Sequence, residues 1–227
     1  MHYTLMDREY YDTLKILTEE FDRKGIQYAL VGGAGIQARI ADFFCKNQKT
    51  DISNTIGLES LLRETKDFDI TTNSPEEVFV NYFNELQAIN PNVSVFPERL
   101  RSKRIKVSGK EEISVFLNYQ TGPQDFAGLD EHFYLDCIET AQPINLKYSN
   151  EECSVFVATP ECLIASKLTR NDPKDIWDIG AVMKGMKMCR PQSGKLRQGM
   201  IEKYLIRADK GEIIGRLNEI KKQIIKE

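Results

Sequence analysis

The sequence predicts an α+β fold, a mixed α/β sheet followed by a C-terminal helical part. Three observations carry this. Strand-like and helix-like stretches alternate up to about residue 158, only helical spacing follows, and glycine, proline and short polar residues mark the joins. The implied division is 1–158 as a core and 159–227 as a helical region packed on it. A chain of 227 residues is long enough to bury a substantial interior in this way.

The elements follow in order. In "DREYYDTLKILTEEFDRKG", Tyr10, Leu14, Leu17 and Phe21 recur at helical spacing and Gly25 is a natural stop. "IQYALV" reads as a short buried strand and runs into "GGAGIQARIADFF", a glycine turn opening a helix. Residues 45–58 are polar and aperiodic, which predicts a loop or insertion. "FDITTN" is a strand. In "SPEEVFVNYFNELQAI", Ser74 is placed as N-cap, Pro75 at the first helical position and Glu77 as the far end of a capping box. "KRIKVSG" and "EEISVFLNY" form an antiparallel pair turning near Gly109 and Lys110. Residues 120–139 carry no clear pattern. "PINLKYSNEECSVFVA" is a hairpin turning at 149–151. Thr159–Pro160 and Asp172–Pro173 each open a helix, and two more helical stretches end the chain.

Composition narrows the function. Thirty-one basic and 34 acidic residues give a formal charge of -3, so no overall attraction to nucleic acid or membrane follows. The N-terminus has no apolar run behind a basic flank, and no segment is apolar enough to span a membrane. The five cysteines are scattered without a Cys-x-x-Cys and there are only two histidines, which argues against zinc and for reduced thiols in a cytoplasmic protein.

The segment "RETKDFDITT" raises a physical question. On a pleated strand Asp67 and Asp69 share one face while Phe68 and Ile70 share the other. Two like charges side by side repel, so this face asks for something positive. A magnesium or manganese ion answers it, since hard oxygen ligands hold such ions together with substrate phosphates. Upstream, Gly32 and Gly33 lie between a strand and a helix. Glycine there lets backbone N–H groups approach phosphate oxygens at the positive helix end. Together these parts describe a site for phosphoryl transfer.

"LVGGAGIQARI" followed by "RETKDFDI" resembles the nucleotidyltransferase superfamily of the DNA polymerase β type, in its minimal form. Arg63, Thr65, Asp67 and Asp69 match its Arg-x-Thr-x-Asp-x-Asp segment. "VATPECLIASKLTR" and "PKDIWDI" are similar to a segment of the abortive-infection toxin branch, in which a Lys and a Lys-Asp-x-x-Asp run face the catalytic cleft. Here those positions are Lys167, Lys174, Asp175 and Asp178. The resemblance covers about residues 26 to 180. It implies a polymerase β-like nucleotidyltransferase core and transfer of a nucleoside monophosphate from NTP (ATP or another) to a hydroxyl. The acceptor would be RNA, a protein or a small molecule, and the toxin branch implies a neighbouring antitoxin. On this reading Asp67 and Asp69 ligate metal, Gly32 and Gly33 hold phosphates, and Arg63, Thr65, Lys174 and Asp175 line the nucleotide. Lys167 neutralises charge or assists deprotonation.

The chain departs from that pattern at three places, one of them a gap from Gly33 to Asp67 longer than a minimal member needs. Ala34 stands where the family carries Ser or Thr. The third carboxylate position falls on Ser114, with Glu112 two residues earlier on the same face and Asp136 as another candidate. Loss of that carboxylate favours the alternative, a nucleotide- or protein-binding module that kept the fold without the chemistry. For the remaining features the bland reading is preferred. The basic residues Arg99, Arg101, Lys103, Arg104, Lys106 and Lys110 protect an edge strand, and Trp177 is core. Lys174, Asp175 and Asp178 read equally well as caps and pairs on an exposed helix.

Overall fold

A computed structural model of the chain describes residues 8–47, 61, 65, 67–99, 102–107, 112–119, 128–170, 172–189 and 195–226. Helix α1 (Arg8–Arg23) leads to strand β1 (Tyr28–Val31), which turns directly into helix α2 (Gly32–Asn47). Strand β2 (Asp67–Thr72), helix α3 (Glu76–Ile89) and strands β3 (Val93–Arg99), β4 (Ser102–Val107) and β5 (Glu112–Tyr119) follow. Helix α4 (Glu131–Glu139) precedes the hairpin of β6 (Gln142–Tyr148) and β7 (Glu151–Val157). From Pro160 the described chain is helical: α5 (Pro160–Leu168), α6 (Pro173–Met188), α7 (Gln198–Arg207), a 3-10 turn (Gly211–Ile213) and α8 (Ile214–Lys226). The fold is α+β, as the sequence predicts.

One mixed sheet runs in the order β3-β4-β5-β2-β1-β7-β6. β1 is antiparallel to β2 and parallel to β7, while β2 is parallel to β5. Register partners Leu30 and Ile70 share a face with Tyr28 and Phe68, leaving Val31 and Asp69 on the other. Helix α1 covers the first face: Tyr10 lies 4.1 Å from Phe68 and Phe21 5.2 Å from Tyr28, between ring centres. Its stripe of Tyr10, Leu14, Leu17 and Phe21 is buried, each large apolar side chain contributing about 1.5–3 kcal/mol. Gly25, at φ +64, ends the helix.

Helix α2 packs across β1, β2, β6 and β7. Its Arg39 is buried and donates to the carbonyls of Val157 at 2.7 Å and Ala158 at 3.0 Å, and to Gln142 at 2.9 Å. Burial lowers its pKa to about 10. These bonds fix the end of β7 where the chain enters α5. Among the described residues no helix is long and apolar enough to cross a membrane. Cys137, Cys153, Cys162 and Cys189 are free thiols.

Several expectations are corrected. Residues 45–47 continue α2 rather than beginning a loop, and 48–60 lie outside the described residues. Ser74 does not cap α3. Pro75 takes the cap position in extended geometry, without a side-chain bond, and the Ser74 N–H donates to the Thr72 hydroxyl at 3.2 Å. Thr159 stands at the N-cap of α5, but its hydroxyl donates to Cys162 Sγ at 3.4 Å. Asp172 does cap α6, accepting from the Lys174 N–H at 2.8 Å. Two elements went unread. β3 is one: its Pro97 argues against a strand, yet edge strands admit proline, and the register shifts there. Helix α4 is the other, capped by Asp130, which accepts from the Phe133 N–H at 2.9 Å. Finally, Lys103, Arg104 and Lys106 lie on β4, between β3 and β5, so protection of an exposed edge does not account for them.

Candidate active site

β1 delivers the chain to the middle of the sheet and Gly32 turns it into α2. There Gly32 adopts φ +60. Its missing side chain is required twice over. A Cβ at position 32 would lie 1.8 Å from Asp69 Oδ2 and 2.7 Å from Asp69 Cγ. The Asp69 carboxylate therefore rests on bare backbone at the start of α2, opposite Val31 in the ladder. Asp67 is exposed at the first position of β2, and Phe68 and Ile70 are buried, so the alternation read from the sequence holds. The Tyr10 hydroxyl donates to the Asp67 carbonyl at 3.1 Å, pinning this strand end to α1. Periodicity marks Tyr10 as core, and no sequence signal marks this second task.

The electrostatics of Asp69 are one-sided. Burial, first of all, pushes its carboxyl above the ordinary carboxylate range. Lys167 opposes this, Asp67 adds to it, and Arg170 and Lys174 also oppose it. No side chain among the described residues donates a hydrogen bond to the Asp69 carboxylate. A half-buried anion beside a second carboxylate, with no side-chain donor among the described residues, fits a hard divalent cation. The first turn of α2 carries no acidic residue to offset its positive end.

A second carboxylate pair lies on α6. Asp175 and Asp178 are buried, and both reach Lys167 of α5, whose Nζ is 2.5 Å from Asp175 Oδ1 and 3.0 Å from Asp178 Oδ2. Arg170 grips Asp175 with two nitrogens, at 2.9 Å and 3.1 Å. Arg216 of α8 in turn donates to the Leu168 carbonyl at 2.8 Å, closing the end of α5. This is an interior network and not the exposed helix face that the bland reading supposed. Lys167, Asp175 and Asp178 are its buried part, while Arg170 and Lys174 stay exposed. Trp177, read as core, is 39% exposed.

The other sequence candidates fall as follows. Gly33 is in the first turn of α2. Thr65 is half-buried two residues before β2, and Arg63 lies outside the described residues. Ser114 pairs with Asp67 in register, which puts Glu112 two residues earlier in β5 at the same parity; its side chain is outside the described residues. Asp136 is engaged by a cation of its own. It sits 3.5 Å from Arg207, which also holds Asp130 at 2.7 Å. Among the described residues no three His, Cys, Asp or Glu side chains cluster as a ready metal site.

No protein-family model and no curated protein matches the chain. Solved structures do. The chain is similar to an antigenic nucleotidyltransferase-like protein from Paracoccidioides brasiliensis, with 16% identity and a TM-score of 0.51 over 92% of this chain and 93% of that one. It is also similar to the antibiotic-resistance factor ANT(2'')-Ia, with 13% identity and a TM-score of 0.43 over 93% and 95% of the two chains. The chain has a nucleotidyltransferase-like fold.

Proposed function

We propose that the protein is a nucleotidyltransferase that moves a nucleoside monophosphate from an NTP to a hydroxyl acceptor. The observation that carries this reading is the Asp69 carboxylate on Gly32, beside Asp67 and at the open N-terminus of α2. Asp67 and Asp69, with Glu112 as third ligand, would hold magnesium or manganese, whose positive charge would offset that of the triphosphate and the developing pyrophosphate.

This chain's own residues then have separate tasks. The turn at Gly32 and Gly33 exposes backbone N–H groups to phosphate oxygens. Lys174 and Arg170 lend positive charge on the Asp69 side, while Arg63, Thr65 and Asp175 complete the nucleotide site, Asp175 by holding Arg170. Lys167, buried between two carboxylates, serves through charge rather than by taking a proton from the acceptor. In the reaction the acceptor oxygen bonds to the α-phosphorus, the bond to the β-phosphate oxygen breaks, pyrophosphate leaves and the hydroxyl proton passes to solvent. RNA, a protein and a small molecule remain the acceptor classes. The toxin reading, with its antitoxin partner, rests on the sequence resemblance alone.

One observation favours a second reading. Ser114, not a carboxylate, stands opposite Asp67, which suits a module that binds nucleotide or protein without turnover. Label transfer from each of four α-labelled NTPs, with magnesium or manganese, separates the two. Acceptors are total RNA, lysate protein and the protein itself. Transfer that falls at least about a hundredfold in the Asp67→Asn/Asp69→Asn variant establishes the enzyme. NTP binding without any transfer, in a folded protein, establishes the module.

A further inference from the structure

Trp177 is the chain's single tryptophan, and its exposure has a cause in α6. The buried face of that helix is taken by Asp175, Asp178, Ile179, Ala181, Val182, Gly185 and Met186, a helical stripe whose edge toward Trp177 holds the small residues Ala181 and Gly185. Trp177 falls outside the stripe. It shares a flank with Lys174, three residues earlier, and Lys174 is exposed as well. The charges of Lys174 and Arg170 both act at Asp69. Helix α6 also packs on α2, the helix that Gly32 opens, and on α5, which carries Lys167. A flat apolar surface thus stands one helical turn from Lys174, a cation whose charge reaches Asp69.

That combination has a chemistry. Phosphates suit the cations, and a nucleobase suits the indole, since the π-face of any base stacks on an aromatic side chain. We propose that Trp177 is the stacking platform for the base of the NTP, with Lys174 next to it on the phosphate side. The inference rests on the nucleotide-transfer reading above and extends it to base recognition. Stacking is tolerant of base identity. The site therefore accepts purine and pyrimidine triphosphates with affinities that follow stacking strength, without strict choice of one base.

Intrinsic fluorescence reports on this directly, because no second tryptophan contributes. Wild-type protein in magnesium is titrated with α,β-methylene ATP, with α,β-methylene CTP and with inorganic triphosphate, and binding is measured in parallel by calorimetry. The methylene nucleotides quench saturably, the purine more tightly, and triphosphate binds without the quench. Trp177→Phe keeps the affinity within about threefold, whereas Trp177→Ala weakens it about tenfold or more. In label transfer the alanine change appears in KM with kcat preserved, and its melting temperature and circular dichroism match wild type. Wild-type affinity in Trp177→Ala, or the same quench from triphosphate alone, overturns the platform while leaving nucleotide transfer standing. A folded wild-type protein that binds no nucleotide in calorimetry overturns both.

Discussion

On β2, Asp67 and Asp69 stand two residues apart on one face; on α6, Asp175 and Asp178 stand three apart on one face. The sequence treats the two pairs alike, and the fold does not. Lys167 and Arg170 bring two positive charges to Asp175 and Asp178, so that pair is matched within the protein and clasps α5 to α6. At Asp69 the cations act only from a distance and no described side chain donates to it. A matched pair belongs to the architecture. An unmatched pair on bare backbone leaves its charge for something from outside, and the difference between a clasp and a binding site lies there.

The largest effect expected is at the clasp. Lys167→Met leaves Asp175 and Asp178 buried with Arg170 as the remaining cation, and should cost about 3–5 kcal/mol of folding stability in urea titrations. Replacing Lys167, Asp175 and Asp178 together by apolar residues of similar size should recover most of that loss. A single-variant cost below about 1 kcal/mol, the level of a surface pair, would put the α6 aspartates in the same unmatched class as Asp69.

Next comes Gly32→Ala. The left-handed backbone alone costs roughly 1–2 kcal/mol for a residue with a Cβ, and the collision with Asp69 moves the carboxylate as well. The expected result is a lower melting temperature together with loss of any stabilisation by magnesium. A variant that keeps its magnesium response would show that Asp69 does not need its seat on Gly32.

The smallest effect has the most telling sign. The folded-state pKa of Asp69 is raised. Its contribution to stability is therefore full below the unfolded value of about 3.9 and is lost as pH rises through the raised folded value. At neutral pH the ionised group destabilises the metal-free protein. Asp69→Asn should then melt a few degrees higher than wild type at pH 7 and show no advantage below about pH 3.5. Magnesium should raise the melting temperature of wild type and not of the variant. A less stable Asp69→Asn in metal-free buffer at pH 7 would remove the contrast between the two pairs.

How much of this was legible follows from which interactions are local. The Asp67 and Asp69 face is forced by the two-residue period of a strand, and the Gly32 turn by the join of strand to helix. Both could be read. The partnership of Lys167 with Asp178 needs α5 and α6 laid together, which no spacing along the chain encodes. Trp177 was misread for a related reason. Buried aspartates occupy the inner stripe of α6, so its polarity is inverted around that turn and the indole is displaced outward. Strand β3 was hidden by Pro97, a residue that only its place at the sheet edge excuses. Helix α4, Glu131–Glu139 with Asp130 as its cap, lies within a stretch that has no pattern to frame it.

Gly25 and Gly32 have almost the same backbone angle, φ +64 and +60, but they have different histories open to them. Around Gly25 a Cβ would meet nothing within 4 Å, so asparagine or aspartate, which tolerate that conformation, can replace it at modest cost. Position 32 has no such neighbours in sequence space. It is locked to Asp69, and neither residue can drift unless the other changes with it. Natural variation should therefore treat the two positions, 37 residues apart, as a single inherited character, while Gly25 wanders freely.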